Sequence, residues 1–418
     1  MRVAILHYAA PPVVGGVEST IYHHARLLAG AGFRVQVVAG RGEPFHPHVP
    51  FHRIPEIDSR HPEVLEVGAA LACGEVPPAF YTLRDRLVGR LWPLLAESDV
   101  CIVHNAVTLH KNLPLTGALR MLADEGVARL IAWCHDFAWQ DVLYTPDLHP
   151  GYPWDLLRTP WPGVRYVVVS TDGQRRLAAL LNIPESAVRV VRPGVDVAEF
   201  LKLGPETRRL VEALDLLSAH PLMLLPARIT RRKNIEFAIR VTAALARHKP
   251  RAALLVTGPP GPHNPKNVAY LRSLRDLRED LGVGDRVHFL YEHGPEGQPL
   301  HVTDETVADL YRLADLLLFP SRREGFGIPV LEAGLARLPI FAADIPPVRE
   351  SAGPLAHRFD PDGDPEAVAQ AIADYLTADV AYRMRRRVLD RFTWQAVLQR
   401  DLIPLLREVM EDGPSARG

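Results

Sequence analysis

Cysteine is scarce in this chain of 418 residues: the three present, Cys73, Cys101 and Cys134, are odd in number and show no CxxC spacing. That argues against a disulfide framework or a structural zinc site, and it makes a reducing compartment, the cytoplasm, the expected location. An excess of charge of either sign is missing too, with 48 Lys and Arg against 49 Asp and Glu. Without a basic footprint, no nucleic-acid partner is expected. No run reaches the roughly 18 apolar residues of a membrane-spanning helix. The apolar start, RVAILHYAAPPVVGGV, imitates a signal peptide but carries His7, a Pro-Pro break and one basic residue. A helical pattern follows it in place of a cleavage site, so it reads as a buried first strand. Neither a repeat of solenoid period nor a low-complexity linker is present.

What is there is the composition of a soluble globular protein, 47% hydrophobic and 23% charged. The length exceeds a single ordinary core, so two or three domains are expected. Short β-rich runs alternate with helical patterns. In the first half they are Val3–His7, Arg34–Ala39, Val100–His104, Leu130–Cys134, Tyr166–Ser170 and Val188–Val191. In the second they are Leu222–Pro226, Ala253–Thr257, Arg286–Leu290, Asp315–Phe319 and Pro339–Ala342. Continuous apolar strands with helices between them indicate parallel sheets covered on both faces. Arg192-Pro-Gly-Val-Asp196 breaks the series. The reading is an α/β protein of two doubly wound, Rossmann-like domains, 1–195 and 196–393, facing across a cleft. Ligands of such sheets sit beyond the strand C-termini. A last helical stretch, 394–411, has Val397, Leu398, Leu402, Leu405 and Leu406 at helical spacing; the polar tail, Glu411–Gly418, is expected to fray.

The most informative segment is SRREGFGIPVLEAGLARLPIFAADIPPVRE, Ser321–Glu350. Glu324 and Glu332 flank a Gly-Phe-Gly turn, and Pro329 stands where a helix should begin, a position that tolerates its missing N–H. Free N–H groups at such a start bind phosphate. Carboxylates beside them suit polyhydroxyl groups that need strong acceptors. Phosphate with hydroxyls on both sides describes a nucleotide sugar.

Other motifs are weaker alone. Gly15-Gly16-Val17-Glu18 follows the first strand and opens a helix; it suits close approach of a ligand to backbone, or a plain strand–helix turn. Gly30-x-Gly32 ends a helix and leads into a strand, the wrong context for a dinucleotide fingerprint. Arg228 and Lys233, in PARITRRKN, follow a strand where the second domain's ligand should lie, and two permanent cations there suit a diphosphate; Arg231 and Arg232 read as solvated. Cys134-His135-Asp136 ends a strand: a phosphohydrolase His-Asp pair lacks further ligands, a Cys-His nucleophile fails because adjacent strand residues face opposite ways, and a structural histidine is the reading that stands on its own. His46, His48 and His52 lie among prolines and read as an exposed loop. Leu83–Leu95, with Arg84, Arg86, Arg90 and Trp92, reads as a surface helix with a core face; its basic side leaves a weak peripheral contact with the anionic inner membrane face to be checked.

Together these residues resemble the retaining glycosyltransferases of family 4, of GT-B fold. The resemblance spans nearly the whole chain: GGVE, the strand-end His-Asp, RPGVD, R-x4-K, LLVTGPPG and, most specific, SRREGFGIPVLEAG. It implies that Arg228 and Lys233 hold the donor diphosphate and stabilise the leaving group, that Glu332 takes ribose hydroxyls, and that Glu324 takes hydroxyls of the transferred sugar. It places the N–H groups of Gly325, Phe326 and Gly327 along the sugar and those near Val330 and Leu331 on phosphate. Gly15 and Gly16 would approach the diphosphate from the other domain, and His135 would contact the sugar near its reacting carbon. The final helix would cross back onto the first domain. Gly258 departs from the family's usual Gly-x-Gly and carries no ligand role.

The implied activity is transfer of a hexose, from GDP-mannose or UDP-glucose on family frequency, to a hydroxyl of a small carbohydrate, phosphorylated or lipid-linked acceptor. No metal or cofactor is expected, since in the family it resembles Arg, Lys and a helix start replace the metal. Cations fixed beside the diphosphate lower the barrier as negative charge grows on it while the anomeric bond breaks; the expectation attached to the resemblance is front-face transfer with retention, a leaving phosphate oxygen taking the acceptor proton. A double displacement needs a carboxylate near the anomeric carbon, and Asp136 is a poor candidate. The alternatives on this fold are a nucleotide-sugar epimerase, a pyridoxal-phosphate phosphorylase, disfavoured by the few lysines outside Lys233, and a non-catalytic sugar-nucleotide scaffold. For the acceptor, the aromatic segment Tyr144–Gly163 offers Tyr144, Trp154 and Arg158; a rigid structural loop is the competing reading.

Overall fold

The computed structural model describes residues 1–262 and 266–411; the tail expected to fray lies outside them from Asp412 onward. The chain divides into two compact units, one formed by Met1–Gly194 with the segment from Phe392 onward, the other by Val195–Arg391. The first unit holds β1 (Arg2–Ala9), β2 (Arg34–Arg41), β3 (Phe51–Arg53), β4 (Val100–His104), β5 (Arg129–Cys134), β6 (Arg165–Val168) and β7 (Val188–Val190). They form one parallel sheet of order β3-β2-β1-β4-β5-β6-β7.

Both faces of this sheet are covered, which is why β1 reads as a continuous apolar run without alternation. Ala4 and Leu6 pack with Leu83, Leu87, Leu91 and Leu95. Val3 and Ile5, pointing the other way, pack with Ile21 and Leu28 of the helix Gly16–Gly30 and with Val397, Leu402, Leu405 and Leu406 of the last helical stretch. That stretch runs Trp394–Val397, a π turn Leu398–Leu402, then Ile403–Glu411. It is anchored where the RPGVD motif passes beneath it. A Cβ on Gly194 would stand 2.7 Å from the Trp394 backbone, so only glycine fits.

In the second unit, β8 (Leu222–Leu225), β9 (Ala253–Val256), β10 (Val287–Phe289), β11 (Leu316–Phe319), β12 (Ile340–Ala343) and β13 (His357–Phe359) form a parallel sheet of order β10-β9-β8-β11-β12-β13. Each sheet has six strands in the order 3-2-1-4-5-6, with β7 added to the first, and is doubly wound. Every expected strand is present, with ends that agree to within two residues. The two that sequence periodicity did not reveal, β3 and β13, each pair on one side only, at one end of their sheet or the other, and are too short for a pattern to register.

The helix Pro78–Ala96 buries Phe80, Leu83, Leu87, Leu91 and Leu95. Its basic side is not a free cationic face: Arg84 pairs with Asp85, Arg86 with Glu56 and Glu63, and Arg90 with Glu56. Paired charges have little left for anionic lipid, so this helix loses the membrane reading and keeps the core one. Among the described residues, no helix is long and apolar enough to cross a membrane. His46, His48 and His52 do not converge as a trio of ligand atoms among the described residues.

Candidate functional site

In a doubly wound sheet the crevice opens where strand order reverses, outside the carboxyl ends of the two central strands. In the second unit those are β8 and β11, paired through Leu316 with Met223 and Leu317 with Leu224. The chain leaving β8 carries Arg228 and then the turn Arg231–Lys233; the chain leaving β11 carries Ser321–Gly327 and the helix Ile328–Leu335. Pro329 lies in the first turn of that helix, and Gly327 precedes it at φ 93°, a left-handed conformation that glycine adopts freely.

Lys233 and Glu324 meet here. Lys233 Nζ donates to Glu324 Oε1 at 2.5 Å, and both side chains are only 8% exposed. Burial pushes the Lys233 ammonium below the ordinary lysine value, and the hydrogen bond and charge of Glu324 oppose that push. Arg232, expected to be solvated, donates to the other carboxylate oxygen at 3.1 Å; its neighbour Arg231 lies over the Tyr270 ring at 4.9 Å. Arg232 reaches Glu324 because the two loops are joined by an Arg322 N–H bond to the Arg232 carbonyl, a tertiary link with no sequence signal. Arg228 is exposed and has no ion-pair partner among the described residues. The segment after β8 therefore carries one open cation, Arg228, and one partly neutralised, Lys233.

Among the described residues, the N–H groups of Gly325, Phe326 and Gly327 donate to no protein acceptor. Three such donors in a row beside Lys233 form an anion-receptive loop. The N–H of Val330 is spent on the Gly327 carbonyl at 2.9 Å, which corrects the expectation that it is open to phosphate: the left-handed Gly327 tightens the first turn and consumes the donor. Phe326 and Leu331 are both exposed, at 42% and 44%. Glu332 is exposed, and its carboxylate accepts the Tyr311 hydroxyl at 2.6 Å. Two buried hydroxyls that sequence reading passed over, Thr230 Oγ1 and Ser321 Oγ, lack hydrogen-bond partners. They follow β8 and β11 by a few residues, and nothing in a lone Ser or Thr signals that.

In the first unit the reversal lies between β1 and β4. Gly15 caps the helix that follows β1, in extended conformation. The Glu18 carboxylate lies against it, whereas the space where Gly16 would carry a Cβ is open. His135 follows β5, and its Nε2 is 3.2 Å from His104 Nδ1. Burial lowers His135 to about 4, so the imidazole is neutral at pH 7. Burial also pushes the Cys134 thiol up to about 12, which removes the Cys-His nucleophile.

The aromatic segment behaves differently from expectation. Trp154 is buried, in a cluster with Phe80 and Leu157, and presents no open ring face. Arg158 stacks over Trp139 at 4.0 Å and pairs with Asp155 at 2.7 Å, so its charge is already answered. Tyr144 is half-buried, with the Lys111 ammonium 4.1 Å from its ring centre. The rigid-loop reading fits Trp154 and Arg158 better than the acceptor reading. Trp154 does line a cavity of about 270 Å³ with His110, Lys111 and Asp147.

Comparison with known proteins adds to this geometry. Residues 14–199 match the model of Glycosyltransferase Family 4, and residues 209–389 that of Glycosyl transferases group 1. The chain is 32% identical over 255 residues to a D-inositol 3-phosphate glycosyltransferase of Saccharomonospora viridis, covering 58% of this chain and 56% of that relative. It is 30% identical over 185 residues to the protein of the same name from Nocardia farcinica, covering 43% and 38%. These matches span about half the length of the relatives or less. Similar solved structures include a sucrose-phosphate synthase of Thermosynechococcus elongatus, at 18% identity and TM-score 0.38 over 99% of this chain and 100% of that one. Another is Anabaena HepE in complex with UDP and glucose, at 17% identity and TM-score 0.37 over 97% and 100%.

Proposed function

From the premise that the chain belongs to the glycosyltransferases described by the Family 4 and group 1 models, which together account for most of its length, we propose that it moves a hexose from a nucleoside-diphosphate sugar to an acceptor hydroxyl. The observation that carries this reading is the Lys233–Glu324 pair, with the open Arg228 in the same segment as Lys233 and the free N–H groups of Gly325–Gly327 following Glu324. Lys233 keeps two N–H bonds to spare while it holds Glu324, and these go to the diphosphate with Arg228. As the anomeric bond breaks, negative charge grows on the departing diphosphate, and cations already in place strengthen their hold without reorganising. Glu332 takes the ribose hydroxyls and Glu324 those of the sugar; in the first unit, Gly16 and His135 keep the ligand roles that the resemblance gives them. No metal is assigned a role. Transfer proceeds with retention on one face of the sugar, the leaving phosphate oxygen taking the acceptor proton.

GDP-mannose and UDP-glucose head the donor panel. The relatives' printed names direct the acceptor panel to phosphorylated polyols such as inositol 3-phosphate, alongside small sugars and lipid-linked acceptors. The test measures thermal shift with each donor and nucleoside diphosphate released with and without acceptor. Transfer predicts a shift with one donor and release that depends on acceptor. Epimerised donor without release would replace this reading with the epimerase; binding of a donor with neither outcome would favour the scaffold.

A further inference from the structure

Around His135 lies a buried histidine cluster that the reading above leaves unused. His104 closes β4 and is fully buried. Its ring centre is 5.5 Å from that of His135 with the planes 26° apart, while Nδ1 and Nε2 are 3.2 Å apart. That centre distance is what remains when the two nitrogens point at each other edge to edge, so the contact is an in-plane hydrogen bond. The other nitrogen of His104, Nε2, is buried without a hydrogen-bond partner, beside the rings of Trp133 and His24. Burial and the neighbouring histidines hold His104 far below its ordinary value, so it is neutral and carries one N–H.

That proton has two places to sit. On Nε2 it would be a buried N–H with no acceptor, the rarer kind of orphan in folded proteins. On Nδ1 it is donated to His135 Nε2. His135 is then the acceptor in the pair, and its own proton must lie on Nδ1. The main chain reinforces the arrangement. Asn105, at φ 59°, accepts the N–H groups of His135 at 2.8 Å and Asp136 at 3.4 Å through its Oδ1, and its Nδ2 donates to Asp136 Oδ2 at 3.3 Å. His7 Nδ1 donates to the His104 carbonyl at 3.0 Å. The end of β4 thus grips the residues after β5 by ring, amide and backbone together.

We propose that His104 is a positioning residue that holds His135 in its Nδ1–H form, so that His135 presents a neutral hydrogen-bond donor to a sugar oxygen and acts as neither base nor cation. This rests on the glycosyl-transfer reading for its sugar partner, but the tautomer itself needs no substrate. An imidazole side chain free in water prefers the Nε2–H form, so the assignment inverts the default and is measurable.

The experiment is long-range ¹H–¹⁵N correlation on the full chain with labelled histidine at pH 7.5, with His135 identified by its loss in His135→Gln. The expected result is a protonated Nδ1 and a bare Nε2. His104→Asn, whose amide reaches the same position as Nδ1, should keep that pattern and most of the turnover. His104→Phe should move His135 toward the Nε2–H form and lower kcat by about tenfold or more, the scale on which outer partners of a functional side chain act. A wild-type His135 protonated at Nε2 overturns the proposal, and that spectrum decides it even if His104→Phe does not fold. So does a His104→Phe variant with the Nδ1–H form and turnover both intact. If the tautomer is as expected but no donor is turned over, the activity reading fails and the tautomer assignment stands.

Discussion

A single buried pair governs the second unit's site. If the proposed transfer holds, Lys233→Ala removes a cation that tightens as the diphosphate leaves, and turnover should fall by about 100-fold or more, the scale of one transition-state donor; steady-state kcat for the variant decides it, and a near wild-type value would sink the assignment. Glu324→Ala asks a different question, because it strands the Lys233 ammonium in a site where both side chains are 8% exposed. Breaking a buried pair in this way costs about 3 kcal/mol or more, a loss that chemical denaturation should register. The loss should shrink as pH rises, because Lys233 gives up its proton below the ordinary lysine value. Both residues were visible in the sequence as chemistry after a strand. Their contact was not, because 91 residues separate them, and nor was the third member, Arg232.

At the scale of elements, each sheet delivers its loops to one edge, and the helices hold that edge in place. The last helical stretch completes the core on the β1 face through Val397, Leu402, Leu405 and Leu406, and Gly194 is the point at which it is pinned. Gly194→Val should displace Trp394 and loosen that stretch, which faster amide exchange over 394–411 and a lowered unfolding midpoint would show. Exchange no faster than wild type would mean the close approach bears no load. The apolar spacing of this stretch announced a helix, but its π turn and the glycine beneath it are consequences of packing. A similar limit applies to the Pro78–Ala96 helix: its apolar spacing announced a surface helix with a core face, but the pairing of its arginines with Glu56 and Glu63 had no sequence signal.

For the whole molecule, the buried histidines of the first unit set an acid limit. His7 and His135 are lowered to about 4 and His24 to about 3, and His104 is held well below its ordinary value, all chiefly by burial. Unfolded, each would bind its proton near 6.5. Between that value and about 4 the unfolded state takes up protons that the native state refuses, so stability is full above pH 6.5 and is lost as pH falls. Unfolding midpoints at pH 7.5 and 5.0 should therefore differ, the lower belonging to pH 5.0, and His24→Phe should narrow the gap. Equal midpoints would contradict the buried neutral state. The sequence by itself determined the α/β class, eleven of the strands and the placing of Arg228, Lys233, Glu324 and Glu332 after strands, because strand period, helix-start chemistry and loop position are local properties. Only the tertiary structure decided that Lys233 and Glu324 pair, that Val330's N–H is spent, that Trp154 and Arg158 are already committed, and that His104 Nδ1 lies 3.2 Å from His135 Nε2. Those outcomes depend on which distant segments the sheets bring side by side, and on how completely water is removed from between them.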